Sequence, residues 1–319
     1  MSTAAVVYNP IKVDLEALKA TAAAAPGAKD WTTIWLPTSA DDPGQGPARE
    51  ALEAGASVVI AAGGDGTVRA VAEVLTGTDA SLALLPSGTG NLLARNLKLT
   101  LDDAAHSFAT AFTGSDRQID VAGIELRRSD RSVDKHVFLV MAGTGLDAKI
   151  MSNTDDDLKK KVGWLAYAQA LVHVLRDKNQ LRLDYKLDDR RNKSERAQAI
   201  IIGNCGSLPA NILLLPDAVV DDGLLDIIVA KPESVRGWLA LAVKIFWENG
   251  VVKRTKLGRG MRELETDSVD VLQGRSLTVR LSRPEEVELD GDPFGEIVGC
   301  RVTVDPGALT VKVPQSDPS

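Results

Sequence analysis

The sequence predicts a chain of mixed class, an α/β domain over residues 1–116 followed by a β-rich, sandwich-like domain over residues 117–319. Three observations predict it. Short apolar runs alternate with helix-period segments in the first third, period-two alternation dominates later, and two glycine-rich turns each lead from an apolar run into a helical one.

The first domain reads in order as strand Ala4–Tyr8, helix Asp14–Ala24, strand Thr32–Leu36, helix Pro47–Ala54, strand Ser57–Ala62 and helix Thr67–Thr76. Strand Leu82–Pro86, a helix from about Asn91 to Leu97 and helix Leu101–Phe112 complete it. Val68, Val71 and Leu75 share one face of their helix, the mark of packing on a core. Strands that are nearly all apolar and alternate with helices imply a parallel sheet covered on both faces, a Rossmann-like arrangement.

Beyond Gly114–Arg117 the period changes. Leu181, Leu183, Tyr185 and Leu187 alternate with charged residues, Leu277, Val279 and Leu281 with Thr278 and Arg280, and Leu309, Val311 and Val313 with Thr310 and Lys312. Such alternation marks strands buried on one face only. Helical segments at about Asp157–Arg176 and Ser234–Asn249 interrupt them.

Composition bounds the function. A net charge of −7 argues against bulk binding of nucleic acid. Two cysteines, Cys205 and Cys300, are too few for a thiolate metal cluster and fit a reducing compartment, so the expected location is cytoplasmic. Met1–Asn9 lacks a secretory pattern, and no run approaches the roughly 20 apolar residues of a spanning helix, so membrane contact is expected to be peripheral.

The glycine turns carry the chemistry. Ala62-Gly63-Gly64-Asp65-Gly66-Thr67 lies between a buried strand and a helix. Glycines there let backbone N–H groups approach a ligand, and the helix N-terminus offers donors to phosphate. A glycine turn alone is equally a tight βα connection. A second one, Pro86-Ser87-Gly88-Thr89-Gly90-Asn91, follows the next strand and would lie on the same sheet edge, where ligands bind. Two such loops can grip one polyphosphate from two sides. Neither is a Walker loop, since no Gly-Lys-Ser/Thr follows either strand.

Gly63-Gly64-Asp65-Gly66-Thr67-Val68 followed by Leu85-Pro86-Ser87-Gly88-Thr89-Gly90-Asn91 resembles the signature of the diacylglycerol kinase catalytic family, which includes bacterial lipid kinases and is related to sphingosine kinases. Tyr8-Asn9-Pro10, Gly143-Thr144-Gly145-Leu146-Asp147-Ala148, Asp221-Asp222-Gly223-Leu224-Leu225-Asp226 and Asp290-Gly291-Asp292-Pro293 resemble further family motifs in the same order. The resemblance implies an ATP- and Mg²⁺-dependent kinase acting on a lipid hydroxyl. ATP would be held by Gly63 and Gly64, by Asp65, Gly66, Thr67, Val68, Arg69 and Ala70, and by Gly88, Thr89 and Asn91, with Thr38 and Asn9 beside the phosphates. Mg²⁺ would be held by Asp222 and the carbonyls of Val219 and Leu224, an oxygen-only shell. Taken alone, Asp222 reads rather as a solvated turn acid in Asp-Asp-Gly.

Transfer to an alcohol needs a group that accepts the hydroxyl proton. His106, His136 and His173 lie in helical or strand patterns and read as structural, which leaves the carboxylates of Asp290-Gly291-Asp292. The resembled family carries Glu as proton acceptor where this chain has Asp292, one methylene shorter. Asp65 and Asp290 complete the catalytic set. Asp-Gly also signals a plain hairpin turn. A second departure is Leu92, where many relatives carry an Asp in a water network toward the metal.

Lys159-Lys160-Lys161 before Trp164 and Tyr167, and Lys253, Arg254, Lys256, Arg259 and Arg262 after Phe246-Trp247, suit an anionic membrane surface holding the lipid or else two solvated helix ends. Competing readings are a kinase acting on the dinucleotide NAD, which shares the Gly-Gly-Asp-Gly-Thr turn, and a nucleotide- or lipid-binding protein with little catalysis. The acceptor's identity and the oligomeric state, monomer or homodimer, stay open at this point.

Overall fold

The structure, a computed structural model, describes residues 2–88, 90–145, 181–208, 212–213, 215, 217–231 and 269–315. The chain divides into two compact units. The first comprises Met1–Val121, Val220–Gly223 and Asp305–Ser319, and the second comprises Ala122–Val219 and Leu224–Val304. A single boundary near residue 116 therefore becomes an interleaved one, with a short turn and the C-terminal segment returning to the first unit.

In the first unit β1 (Ser2–Tyr8) lies between β2 (Trp31–Pro37) and β3 (Ala56–Gly63), and β4 (Ser81–Pro86) follows β3, all parallel. The helices are α1 (Leu15–Ala24), α2 (Gln45–Glu53), α3 (Asp65–Leu75), α4 (Leu92–Asn96) and α5 (Ala104–Thr113). Both faces of the sheet are covered, which explains the unbroken apolar runs read in the sequence. Val6, Ile60 and Leu85 join Leu18, Phe108 and Phe112 under α1 and α5, with Trp31 and Trp35 at the margin. Val7, Val59 and Leu84 are buried on the face where α2 and α3 pack. Local chemistry starts the helices: the Asp14 carboxylate accepts from the Glu16 and Ala17 N–H groups, and Asp103 accepts from that of His106.

The second unit is a β-sandwich. Its strands are the end of β5 (Ser115–Arg127), β6 (Val133–Phe138), β7 (Met141–Thr144), β8 (Leu181–Leu187), β9 (Lys193–Ala197), β10 (Ala199–Gly203), the short pair β11 (Ser207–Leu208) and β12 (Ile212–Leu213), β13 (Leu225–Ala230), β14 (Val269–Gly274), β15 (Ser276–Leu289) and β16 (Asp292–Val313), whose last residues belong to the first unit. One layer runs β9-β8-β15-β16-β5-β6 and the other β14-β13-β10-β7-β15. The long β15 serves both, pairing β8 along Leu277–Leu281 and β7 along Val287–Leu289. Leu183, Tyr185, Val279, Val302 and Ile124 from one layer meet Ile200, Ile202, Ile227 and Val229 from the other in one core. For Leu181–Leu187 and Leu277–Leu281 the period-two reading is thus the sandwich's in–out alternation. The helical segments expected at Asp157–Arg176 and Ser234–Asn249 lie outside the described residues.

Candidate functional site

In the first unit β3 and β4 end in register, Gly63 opposite Pro86, so the two glycine loops leave the sheet side by side. They are built backbone against backbone. A Cβ on Gly88 would lie 2.8 Å from the Gly64 Cα, and one on Gly63 would lie 2.7 Å from the Thr67 side chain. Substitution at either position has no cheap escape.

Asp65 ties the loops together. Its Oδ1 accepts from the Leu92 N–H at 2.6 Å, and its other oxygen occupies the space a side chain at position 90 would need. Because the main chain of residue 92 makes this bond, the absence of an acid there leaves the link between the loops intact. Leu92 itself is buried at 5% exposure.

Asn91 stands in the left-handed region at φ 48°, and its side chain both accepts from the Gly88 N–H (3.2 Å) and donates to the Gly88 carbonyl (2.9 Å). Arg95 Nε donates to the Gly90 carbonyl at 2.7 Å. The second loop is therefore pre-shaped by its own side chains. Thr89, at its tip, lies outside the described residues.

Gly64 begins α3 with no side-chain cap on the first turn, so the main chain of Asp65, Gly66 and Thr67 forms an N-terminus of the kind that binds phosphate. Thr67, Val68, Arg69 and Ala70 are buried, and Gly64, Asp65 and Gly66 are the partly exposed residues at the helix start. Asn9 closes a tight turn after β1: its Oδ1 accepts from the Ile11 N–H and its carbonyl from those of Lys12 and Val13. That turn brings the Lys12 ammonium to 3.5 Å from where a Cβ on Gly64 would sit. Sequence reading missed Lys12, whose signal was only its place three residues after Asn9. Thr38, buried, donates its N–H to the Tyr8 carbonyl at 2.8 Å, which fixes the end of β2 beside that of β1.

The Asp221-Asp222-Gly223 turn also belongs to the first unit. Asp120 organises it. Only 2% exposed, it accepts from the Gly223 N–H (2.6 Å) and the Gly307 N–H (2.8 Å), while its own N–H donates to the Val220 carbonyl (2.9 Å). Asp221 pairs with Arg117 at 2.7 Å. Asp222 is exposed, as is Val219, and Leu224 is half-buried. Sequence reading passed over Asp120, although a charge inside the apolar run Ile119-Asp120-Val121 was a usable signal. Among the described residues no group of three or more His, Cys, Asp or Glu side chains is arranged to hold a metal. The expected Mg²⁺ set rests on one carboxylate and two main-chain carbonyls, hard oxygen donors of the kind this ion takes.

In the second unit β15 turns into β16 through Asp290 and Gly291, at φ 51° and 87°, the signs of a type I′ hairpin. The two carboxylates of this turn are placed differently. Asp290 is buried, and its oxygens accept from the N–H groups of Leu139 (2.9 Å), Val140 (2.8 Å) and Met141 (3.0 Å). Its N–H donates to the Met141 carbonyl at 2.8 Å. It fastens the connection between β6 and β7. Asp292, half-buried and directly across from Leu289, starts β16. Nearby Glu288 was not singled out by sequence. Burial, with the charges of Asp292 and Glu286 added, holds its carboxyl above the ordinary glutamate value. His136 stacks edge-on against Phe294 at 4.8 Å and His106 lies within α5, as read; His173 lies outside the described residues, as do Leu146-Asp147-Ala148 and both basic–aromatic segments.

The comparisons agree with this geometry. The diacylglycerol kinase catalytic domain profile matches residues 3–124, and that of the YegS C-terminal NAD kinase beta sandwich-like domain matches residues 140–313. The chain is 34% identical over 276 residues to a protein of Pseudomonas aeruginosa named "Probable lipid kinase YegS-like", covering 84% of this chain and 80% of that one. A protein of the same name from Cronobacter sakazakii is 30% identical over 277 residues, covering 84% and 82%. Among solved structures, a diacylglycerol kinase from Bacillus anthracis shares the fold with a TM-score of 0.67 at 18% identity, covering 98% of this chain and 97% of that one. With paired glycine loops on one sheet edge and a sandwich that follows, the chain belongs to the diacylglycerol kinase catalytic-domain family.

Proposed function

We propose that this protein is an ATP-dependent lipid kinase that moves the γ-phosphate of ATP to a hydroxyl of a lipid such as diacylglycerol. The observation that carries the reading is the locked pair of glycine loops at the uncapped start of α3. Family membership supplies phosphoryl transfer, and the relatives' names supply the lipid class.

The chemistry divides by residue. The main chain of Gly64–Thr67 and of the Gly88–Asn91 loop holds the phosphates, and Lys12 neutralises part of their charge. Asp65 keeps the loops in mutual register. As the acceptor oxygen bonds to the γ-phosphorus, the bond from that phosphorus to the β,γ-bridging oxygen breaks and ADP leaves. The hydroxyl proton goes to Asp292, because Asp290 is committed to three main-chain donors. Mg²⁺, when bound by Asp222 and the carbonyls of Val219 and Leu224, would add charge neutralisation.

The test is phosphate transfer from labelled ATP into extracted lipids, with NAD as the control acceptor. Labelled lipid phosphate is expected, lost in Asp292→Asn and retained in Asp292→Glu. Label in NAD alone would move the chain to the dinucleotide branch that its sandwich match brings to mind. No transfer to either would leave a binding protein.

A further inference from the structure

The outward face of one sandwich layer departs from the charge of the rest of the chain. In the layer β9-β8-β15-β16-β5-β6 the side chains opposite the core come from alternate positions of each strand. On β9, β8, β5, β6 and the stretches Ser276–Ser282 of β15 and Gly299–Thr303 of β16, those positions hold seven cations, Arg127, Lys135, Arg182, Lys186, Arg196, Arg280 and Arg301, against two carboxylates, Glu125 and Asp184; past the bulges β15 and β16 add Glu286, Glu288 and Glu296 opposite the core. The chain as a whole carries −7. All seven cations are exposed.

The register sets two of these cations across from carboxylates, Arg280 from Asp184 and Lys135 from Glu125, and leaves Arg182, Lys186 and Arg196 without one. Arg182 stands directly across from Arg196, a like-charge cross-strand pair that costs stability. Lys186 and Arg301 both face Thr278. Only Lys135 has a carboxylate within ion-pair distance, Glu125 at 3.2 Å; among the described residues the other six have none. Gly123 leaves a gap in the face beside Thr303. There a shallow depression of about 430 Å³ opens, lined in part by Lys135, Arg301, Thr303 and Glu125. A basic surface whose outward valines, Val133 and Val137, lie together on the edge strand β6, and which has one dent of headgroup size, suits a broad anionic plane better than a protein partner, which would want a central cluster of apolar anchors.

We propose that this face docks the protein on an anionic phospholipid surface. The proposal rests on the lipid-kinase reading for its purpose, and on the register of charges for its evidence. Each Lys or Arg near such a surface contributes about 1 kcal/mol, and the attraction decays within about a Debye length, roughly 8 Å in physiological salt. The cations without a carboxylate across from them would attract a chain that is otherwise repelled.

The experiment is sedimentation of the full chain, without nucleotide, with vesicles of phosphatidylglycerol in phosphatidylcholine or of phosphatidylcholine alone. Binding is expected to the anionic vesicles only and to fall with added salt. In Arg182→Gln/Arg196→Gln/Arg301→Gln the partition coefficient should drop about 100-fold, the worth of three such cations. The same positions changed to Lys should keep it. All three are exposed and the variant removes the repulsion between Arg182 and Arg196, so a thermal midpoint at or above the parent's is expected and is checked in the same samples. Wild-type binding that ignores the anionic lipid, or a Gln variant that binds as well as the parent, overturns the proposal. So does tighter binding to a duplex oligonucleotide than to vesicles, lost in the Gln variant, since the face would then be read as a nucleic-acid surface. Phosphorylation of a short-chain diacylglycerol in neutral detergent micelles separates the two ideas. The Gln variant should match the parent there, and a parent inactive in micelles would count against the kinase reading while the vesicle result stands.

Discussion

At the scale of single residues, the two aspartates of one hairpin divide structure from chemistry. Asp290 accepts three main-chain N–H bonds from residues 139–141 in a buried site. Removing it strands those donors, each at about 1–3 kcal/mol. Asp290→Ala is therefore expected to lower the thermal midpoint steeply and to lose activity with it. Asp292→Asn should leave the midpoint nearly unchanged and cut kcat by about 10²–10⁴, the worth of a positioned base. Circular dichroism melts beside turnover separate the two roles, and a melt for Asp290→Ala equal to the parent's would refute the first. In sequence only the family resemblance singled out Asp292, and Asp290 was placed in the catalytic set beside it, because the structural difference lies in which one meets the connection 150 residues upstream. Glu288 gives a pH test with a definite sign. Burial raises its folded-state value above the unfolded 4.5, so the folded state holds the proton more tightly. Its ionisation then subtracts stability as pH rises from 4.5 through that raised value, and the deficit is complete above it. Glu288→Gln should raise the midpoint at pH 7 and lose the advantage below about pH 4.5; an equal gain at both would point to packing instead.

At the scale of elements, the loops are specified more by what cannot be placed in them than by what they contain. The βα turn pattern was legible because glycine punctuates it, and α3 and β4 fall within two residues of their expected bounds. What sequence could not show was that Gly88 lies against Gly64, or that Asp65 reaches the Leu92 N–H. Local pattern names a turn but not its neighbour. Gly88→Ala would press a methyl to 2.8 Å from the Gly64 Cα, a main-chain atom, with the Asn91 amide oxygen 3.4 Å away. The loops must part, so nucleotide affinity should fall at least tenfold while the fold persists, as read by ATP-dependent shift of the thermal midpoint. Undiminished ATP stabilisation in Gly88→Ala would show that the loops do not act together. Asp65→Asn offers the milder companion: the amide oxygen still accepts from Leu92, so affinity should fall less than in Gly88→Ala.

At the scale of the whole molecule, the first unit is not a contiguous stretch of sequence. The alternating pattern of Leu309, Val311 and Val313 was legible as a strand, and it was assigned to the sandwich because every neighbour in sequence belongs there. In the structure Val311 instead pairs with Leu82 in parallel, and residues 305–319 count with the first unit. Periodicity reports that a strand exists and is silent on which sheet receives it. The attachment is dense. Leu309 and Val311 are fully buried, Lys312 pairs with Asp116 at 2.9 Å, the Ala308 carbonyl accepts from Gly77, and Gly307 donates to Asp120. Burying two such side chains is worth about 3–6 kcal/mol, against a typical domain stability of about 5–15 kcal/mol. Ending the chain at Val304 would also leave Asp120, 2% exposed, without one of its main-chain donors, at a further cost of about 1.5–3 kcal/mol for a charged bond. Those losses together match the lower part of the stability range. The truncated chain is therefore expected to lose ATP binding outright, because its missing segment belongs to the unit with the glycine loops and not to the sandwich. Asp120→Asn, which keeps the strand and one acceptor oxygen, should cost less and retain ATP binding with a lowered midpoint. ATP-induced stabilisation of the chain ending at Val304 equal to the full chain's would show that the C-terminal segment is dispensable to the first unit.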